Sequence, residues 1–327
     1  MQFFIGIDVS KDKLDLGWLR DLTSNKKKTK VFKNPSAELT RVSDWILKNT
    51  KSCPQDILVT VEPTGVYHEA LLYHLHECGF QVFLPNAALV KAFMQSLGTV
   101  HKTDKSDAII LARYGAQKPD RQLWQPEAPE IRELKAMMRR LDALEKDHQR
   151  ELNRLEASEI TGTSERVLQS LKDMIAVLEQ EIRNLQQDID DHIDRHPPLR
   201  NNRQLLQSIT GVGPVVSREM VYMLTAKAFR SAKQAANYVG VIPRIQESGK
   251  FIGCSRLSKE GPARLRAKLY MAAIVAKQHN PLIKQHYERL LANGKNKMQA
   301  IGAAMRKLVH LCYGVVKNQE KFQLQPL

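Results

Sequence analysis

Residues 3–10 read Phe3-Phe4-Ile5-Gly6-Ile7-Asp8-Val9-Ser10, an apolar run interrupted by one carboxylate. Its composition predicts a β-strand that buries most of its side chains, with Asp8 where burial is expected. A lone ionised Asp inside a protein is costly unless it is paired or binds a metal. The plain alternative is an Asp near a strand end that caps the turn at Ser10-Lys11-Asp12. Acidic residues elsewhere in the chain bear on that choice.

Outward from this strand, residues 1–117 alternate strand and helix patterns. Leu14–Arg20 and Lys28–Phe32 read as strands. Ser36–Leu47 places Leu39, Val42, Trp45 and Ile46 at helical spacing, with Ser36 as the expected N-cap. Ile57–Val61 is a β-branched run that ends at Glu62-Pro63-Thr64-Gly65, a turn. Tyr67–Cys78 reads as a helix stopped by Gly79, Phe80–Leu84 as a strand, and Ala87–Met94 and Ser106–Tyr114 as helices. Three strands followed by alternating strands and helices predict an α/β domain with a mixed sheet.

Residues 118–130 hold Pro119, Pro126 and Pro129 and read as a linker carrying Trp124, which is expected to pack on a domain. Within residues 131–196, Leu168, Leu171, Ile175, Leu178, Ile182, Leu185 and Ile189 are spaced alternately three and four apart, a coiled-coil heptad. Gly162 precedes this segment, so pairing back within the chain as an antiparallel hairpin and pairing with a second subunit are both open. Residues 197–327 are mostly helical in pattern and strongly basic, with 22 Lys and Arg against 5 Asp and Glu, whereas residues 1–196 are nearly neutral. A basic region of that strength points to nucleic acid. Ile209-Thr210-Gly211-Val212-Gly213-Pro214 resembles the turn of helix-hairpin-helix DNA-binding proteins, in which Gly211 and Gly213 would leave backbone N–H groups to meet a phosphate at a helix N-terminus.

No run approaches the roughly 18 apolar residues of a membrane span. The N-terminus reads as a strand rather than as a signal peptide. The four cysteines, Cys53, Cys78, Cys254 and Cys312, form no Cys-x-x-Cys pair, which fits a reducing cytoplasm and argues against a zinc or disulfide framework.

Three more carboxylates fall where a metal site built on Asp8 would want them. Glu62 ends a buried strand, and Asp104 and Asp107 open a helix three residues apart, on one face. Hard oxygen ligands from several elements suit Mg²⁺ or Mn²⁺. Two such ions about 4 Å apart can activate the attacking oxygen and stabilise the leaving oxygen of a phosphodiester. Capping and the helix dipole are the alternative for Asp104 and Asp107.

Ile5-Gly6-Ile7-Asp8, Val61-Glu62-Pro63-Thr64-Gly65 and Lys102-Thr103-Asp104-x-x-Asp107 together resemble the DEDD motif of bacterial insertion-sequence transposases related to the Piv invertase. Ile209 to Gly213, Gly240-Val241-Ile242-Pro243-Arg244 and Gln246-Glu247-Ser248-Gly249 resemble the same family's C-terminal transposase domain. The resemblance implies a ribonuclease-H-like N-terminal domain, similar to Holliday-junction resolvases, and a cytoplasmic bacterial recombinase that moves or inverts DNA. It implies guidance by a noncoding bridge RNA that pairs with element ends and target. It also implies a serine nucleophile in a composite site with the carboxylates, at the position matched by Ser248, with Ser255 and Ser258 as nearby rivals. Arg244, Lys250, Arg256 and Lys259 are then candidates to hold the phosphate. A homo-oligomer is expected, a dimer assembling to a tetramer, in which two subunits each contribute half of an active site. The competing expectation is a resolvase-like metal-dependent nuclease that uses water and no serine. His68, His74 and His76 read as surface or packing residues, and Tyr67 either caps its helix or approaches the site.

Overall fold

In the computed structural model, the apolar run at the N-terminus forms β1 (Phe3–Val9), the central strand of a five-stranded sheet. The structure describes residues 2–21, 26–34, 38–63, 65–97, 104–244, 247–248, 251–252 and 256–323, with the side chains of residues 104, 105, 247, 248, 251 and 252 outside that description. The chain divides into two compact units, Met1–Pro126 and Glu127–Leu327.

In the first unit, β2 (Lys13–Leu19) and β3 (Lys27–Lys33) continue the sheet antiparallel on one side of β1. On its other side, β4 (Ile57–Val61) and β5 (Gln81–Phe83) run parallel to it, so the order is β3-β2-β1-β4-β5 and the sheet is mixed. All five residues of β4 are buried, as an uninterrupted β-branched and leucine run requires of a strand covered on both faces. β3 lies at the edge and carries Lys27, Lys28, Lys30 and Lys33, charges that oppose pairing with another chain.

The side chains of β1 alternate. Ile5, Ile7 and Val9 join Leu14, Leu16 and Val59 in a core that includes Val42 and Ile46 of α1 (Leu39–Thr50) and Leu71 and Leu75 of α2 (Glu69–Glu77). Ser36, the expected cap of α1, lies outside the described residues; the helix begins at Leu39, behind Glu38, with no side-chain cap. α3 (Ala87–Ser96) starts at Asn86, whose Oδ1 accepts the Ala88 N–H at 2.9 Å. The opposite sheet face receives α4 (Asp104–Gln117). The proline-rich stretch after α4 folds back on this unit: the Trp124 N–H donates to the Val82 carbonyl at 2.7 Å, and its ring meets Tyr73 edge-on at 5.1 Å.

The second unit is helical. α5 (Pro129–Thr161) and α6 (Glu165–Arg195) are joined at Gly162, which sits at φ +67°, and pack on each other in antiparallel sense, with His192 Nε2 2.8 Å from the Glu130 carbonyl and His148 3.4 Å from Glu179. Of the heptad residues, Ile175 and Ile189 are buried and the others half-buried. The base of this hairpin enters a core with α7 (Pro197–Gln207), α8 (Pro214–Ala226), α9 (Ala232–Val239), α10 (Ala263–His279), α11 (Pro281–Ala292) and α12 (Lys297–Asn318), whose Leu206, Met220, Leu269 and Leu308 are fully buried. Arg218 of α8, buried, grips both oxygens of Asp190 on α6 at 3.0 and 2.6 Å, and Arg203 of α7 reaches the same carboxylate at 3.2 Å. No described helix is long and apolar enough to cross a membrane.

Two outcomes test this packing. A Cβ built at Gly6 would lie 1.9 Å from the Ala108 carbonyl oxygen and 2.6 Å from the Ala112 nitrogen, both backbone atoms. Gly6→Ala is therefore expected to destabilise the protein by about 3 kcal/mol, read as a lowered midpoint in urea unfolding. Burial pushes the Cys312 thiol up to about 12, whereas Cys53 is exposed. Iodoacetamide at neutral pH should alkylate Cys53 in the native protein and reach Cys312 only after denaturation, as mass spectrometry of the peptides would show.

Candidate active site

The site is built on the α4-facing side of the sheet. Strand alternation puts Phe4, Gly6 and Asp8 of β1 on that face, and the antiparallel register sets Gly17 opposite Gly6 and Asp15 opposite Asp8. Glycines at both places of the first pair let the helix backbone approach. Cβ atoms at Gly6 and Gly17 would fall on backbone atoms of Ala108 and Ile109, and one at Gly115 on Thr60 Oγ1 of β4. α4 thus lies across β2, β1 and β4.

Glu62 follows β4. Its N–H donates to the Ile7 carbonyl at 3.2 Å and extends the parallel ladder one step, which sets it beside Asp8, two residues beyond Thr60. Asp107 directly precedes Ala108, the residue against Gly6, and is 6% exposed. Asp8 and Glu62 are half-buried. Asp8 and Glu62 thus come to one end of one sheet face, and Asp107 lies in α4, the helix that packs on that face. Asp104 opens α4, and its side chain lies outside the described residues, as do Lys102 and Thr103. Among the described residues no three His, Cys, Asp or Glu side chains gather closely enough to chelate an ion.

The donor chemistry fits a hard divalent cation, because every candidate is a carboxylate oxygen. Positive charge is already drawn there: Lys13 Nζ sits 3.1 Å from Oδ2 of Asp15, whose carboxyl is almost entirely buried. Asp15 escapes a reading of single motifs. The signal that finds it is the pairing of β1 with β2 about a short turn, which places residue 15 opposite residue 8.

In the second unit, β6 (Pro243–Arg244) pairs antiparallel with β9 (Arg256–Leu257), and β7 (Glu247–Ser248) with β8 (Phe251–Ile252), in the register Ser248 to Phe251. The side chain of Ser248, together with Gly249, Lys250 and Ser255, lies outside the described residues. The Ser258 hydroxyl oxygen is buried and has no hydrogen-bond partner among the described residues. Arg244 and Arg256 face each other across β6 and β9, both exposed, and Arg244 lies 4.0 Å from Glu260. Lys259 is exposed at φ +55°. A cavity of about 220 Å³ at the base of this ribbon brings Lys295 and Arg306 to the wall that Arg256 lines. These two cations lie 39 and 50 residues beyond Arg256, so no local motif announces them.

Gly211 sits at φ +101°, and a Cβ there would meet the Ala276 side chain at 2.7 Å. Buried Asn280 donates to the Thr210 carbonyl at 3.1 Å while its Oδ1 caps the first turn of α11, which anchors the turn from below. Gly213 and Pro214, at the N-terminus of α8, are exposed. The three histidines near the first unit's turn have packing partners: His68 is buried, His74 Nε2 lies 3.1 Å from Ser43 Oγ, and His76 meets Trp124 edge-on. Tyr67 is exposed.

Comparison with known proteins matches both units. A transposase model, the DEDD domain of IS110-type elements, covers residues 5–158, and the IS116/IS110/IS902 family transposase model covers residues 203–288. The pilin gene-inverting proteins of Moraxella lacunata and Moraxella bovis are each 31% identical to the chain over 98% of its length and 97% of their own. A protein of insertion element IS110 from Streptomyces coelicolor is 25% identical over 48% of this chain and 38% of its own. The Holliday-junction complex of T. thermophilus RuvC aligns over 38% of this chain and all of that one at 18% identity, with a TM-score of 0.28, too low to carry an argument. Because one match runs through the sheet unit, another through the helical unit, and the Moraxella likeness through nearly the whole chain, the protein belongs to the IS110-type DEDD transposases and is a DNA recombinase.

Proposed function

We propose that the first unit is a ribonuclease-H-like domain in which Asp8, Glu62, Asp104 and Asp107 hold Mg²⁺ or Mn²⁺, and that Ser248 is the nucleophile of a strand exchange guided by a noncoding RNA. The observation that supports the first part is the arrival of Asp8 and Glu62 at one end of the sheet face on which α4, carrying Asp107, packs. The strand order β3-β2-β1-β4-β5, with β2 alone running against the other four strands, supports the ribonuclease-H-like assignment. A bound divalent cation would supply Lewis-acid stabilisation of charge on phosphate oxygens.

Ser248 Oγ attacks phosphorus, the bridging P–O bond of the DNA strand breaks, and the serine proton ends on the departing oxygen. A hydroxyl of the new strand then reverses the step and restores the serine. The seryl ester preserves the energy of the phosphodiester between the two steps. Arg244, Lys250, Arg256 and Lys259 offset the phosphate charge, and Gly211 and Gly213 present backbone N–H groups to a second stretch of backbone. The surplus of cations in residues 197–327 exceeds what one duplex contact needs and supports binding of RNA as well as DNA. Dimers assembling to tetramers are supported by the large apolar side chains that α5 and α6 expose, Ile160, Val167, Met174 and Val177.

A plasmid carrying the gene with its native flanks tests the reading by sequencing of recombinant junctions. Asp8→Ala and Ser248→Ala are each expected to abolish junctions. Loss with Asp8→Ala alone would make this a metal-dependent nuclease that uses water, and Ser248 a loop residue. In filter binding to duplex DNA, Arg256→Ala should weaken affinity for all sequences alike and reduce the slope of log K against log salt by about 1. An unchanged slope would remove Arg256 from the phosphate contacts.

A further inference from the structure

Asp15 has no place in the four-carboxylate motif, yet it sits in the same row. It is the direct cross-strand partner of Asp8 in the β1–β2 ladder. Side chains so placed share a face with Cβ atoms about 4.5–5.5 Å apart, and like charges there repel. Burial sharpens the repulsion, because Asp15 is only 4% exposed. Aspartate is also a poor strand residue, so neither packing nor propensity accounts for it.

A positive charge offsets this pair, and it comes from Lys13. Lys13 lies two residues before Asp15 on the same strand and therefore on the same face, and its ammonium reaches the carboxylate at 3.1 Å. The side chain of Lys13 is 43% exposed, so its long stem can carry the ammonium out to water. A divalent cation beside Asp8 brings twice the charge. Mg²⁺ and Mn²⁺ retain bound waters, and a carboxylate behind a ligand can accept from one of them.

Resting on the carboxylate reading above, we propose that Asp15 is a fifth carboxylate of the cation site, a positioning residue that holds the metal through its water shell, and that the Lys13 ammonium competes with the metal for the Asp8–Asp15 pair. The competition makes opposite predictions for two residues of one strand, which a purely structural ion pair does not.

The test titrates the full-length protein with Mn²⁺ and follows the electron paramagnetic resonance signal of the free ion. Asp15→Asn is expected to weaken Mn²⁺ binding about tenfold. Lys13→Met is expected to tighten it about threefold, by removing the competing charge. Thermal unfolding of both variants without metal establishes that they are folded. Should Asp15→Asn fail to fold, tightening by Lys13→Met supports the proposal and an unchanged affinity overturns it. Asp15→Asn binding within about twofold of wild type, while Asp8→Asn binds far more weakly, would overturn the role of Asp15 and leave the four-carboxylate reading intact. Equal binding by wild type and Asp8→Asn would overturn both.

Discussion

Contact between α4 and the sheet, backbone against backbone, is the constraint on which the rest of the first unit depends. Gly6 and Gly17 stand opposite each other on β1 and β2, and Ala108 and Ile109 lie against them at distances that leave no room for a Cβ. At Thr60 the absent side chain is on the helix, at Gly115. Each omitted side chain forgoes the burial energy of a methyl group or more. The return is positional. A helix resting on larger side chains would stand off by the width of those side chains, and Asp107 would be carried away from the sheet face that holds Asp8 and Asp15. The height of α4 above the sheet is thus set by residues that carry no chemistry.

The same row shows why acidic sites of this kind are costly. Two strand ends and a helix start bring carboxylates together, and ordinary folding would scatter them. Parallel pairing of β1 with β4 places Asp8 and Glu62 at the same end, since parallel strands share their C-terminal edge. Antiparallel pairing of β1 with β2 brings Asp15 to that end from the other direction. Lys13, anchored at the start of β2, returns charge to the cluster from its rim. The mixed sheet therefore concentrates negative charge at one end of its central strand.

In the second unit the charges divide by depth. Asp190 takes two arginines, Arg218 and Arg203, and ties α6 to α7 and α8. Glu145 and Glu219 hold Lys268, and Glu145 also holds Arg264. Each pair costs desolvation, and several converge on one carboxylate, so the arginines are fixed in place as much as neutralised. The cations beyond these pairs are spread over a region with 5 acidic residues in 131, too few to compensate them. That imbalance persists at the surface and is what a polyanion meets first.

Local chemistry was sufficient for much of this. An apolar run broken by one carboxylate marked β1, the unbroken run 57–61 marked a doubly covered strand, Gly79 marked the end of α2, and the three-four spacing in 168–189 marked a buried and half-buried seam of α6. Each depends on a period or a stop signal within a dozen residues, which is the range over which side chains of one element see each other. Asp8 and Glu62 were legible as candidates because a carboxylate in or beside an apolar strand is conspicuous, and Asp107 because it shares a helix face with Asp104 three residues before it. The partner of α6, the place of Asp15 opposite Asp8, and the approach of Lys295 and Arg306 to Arg256 were decided only in the tertiary structure. They arise from strand register and from helix contacts between segments far apart in the chain, and a one-dimensional pattern carries no record of which face meets which.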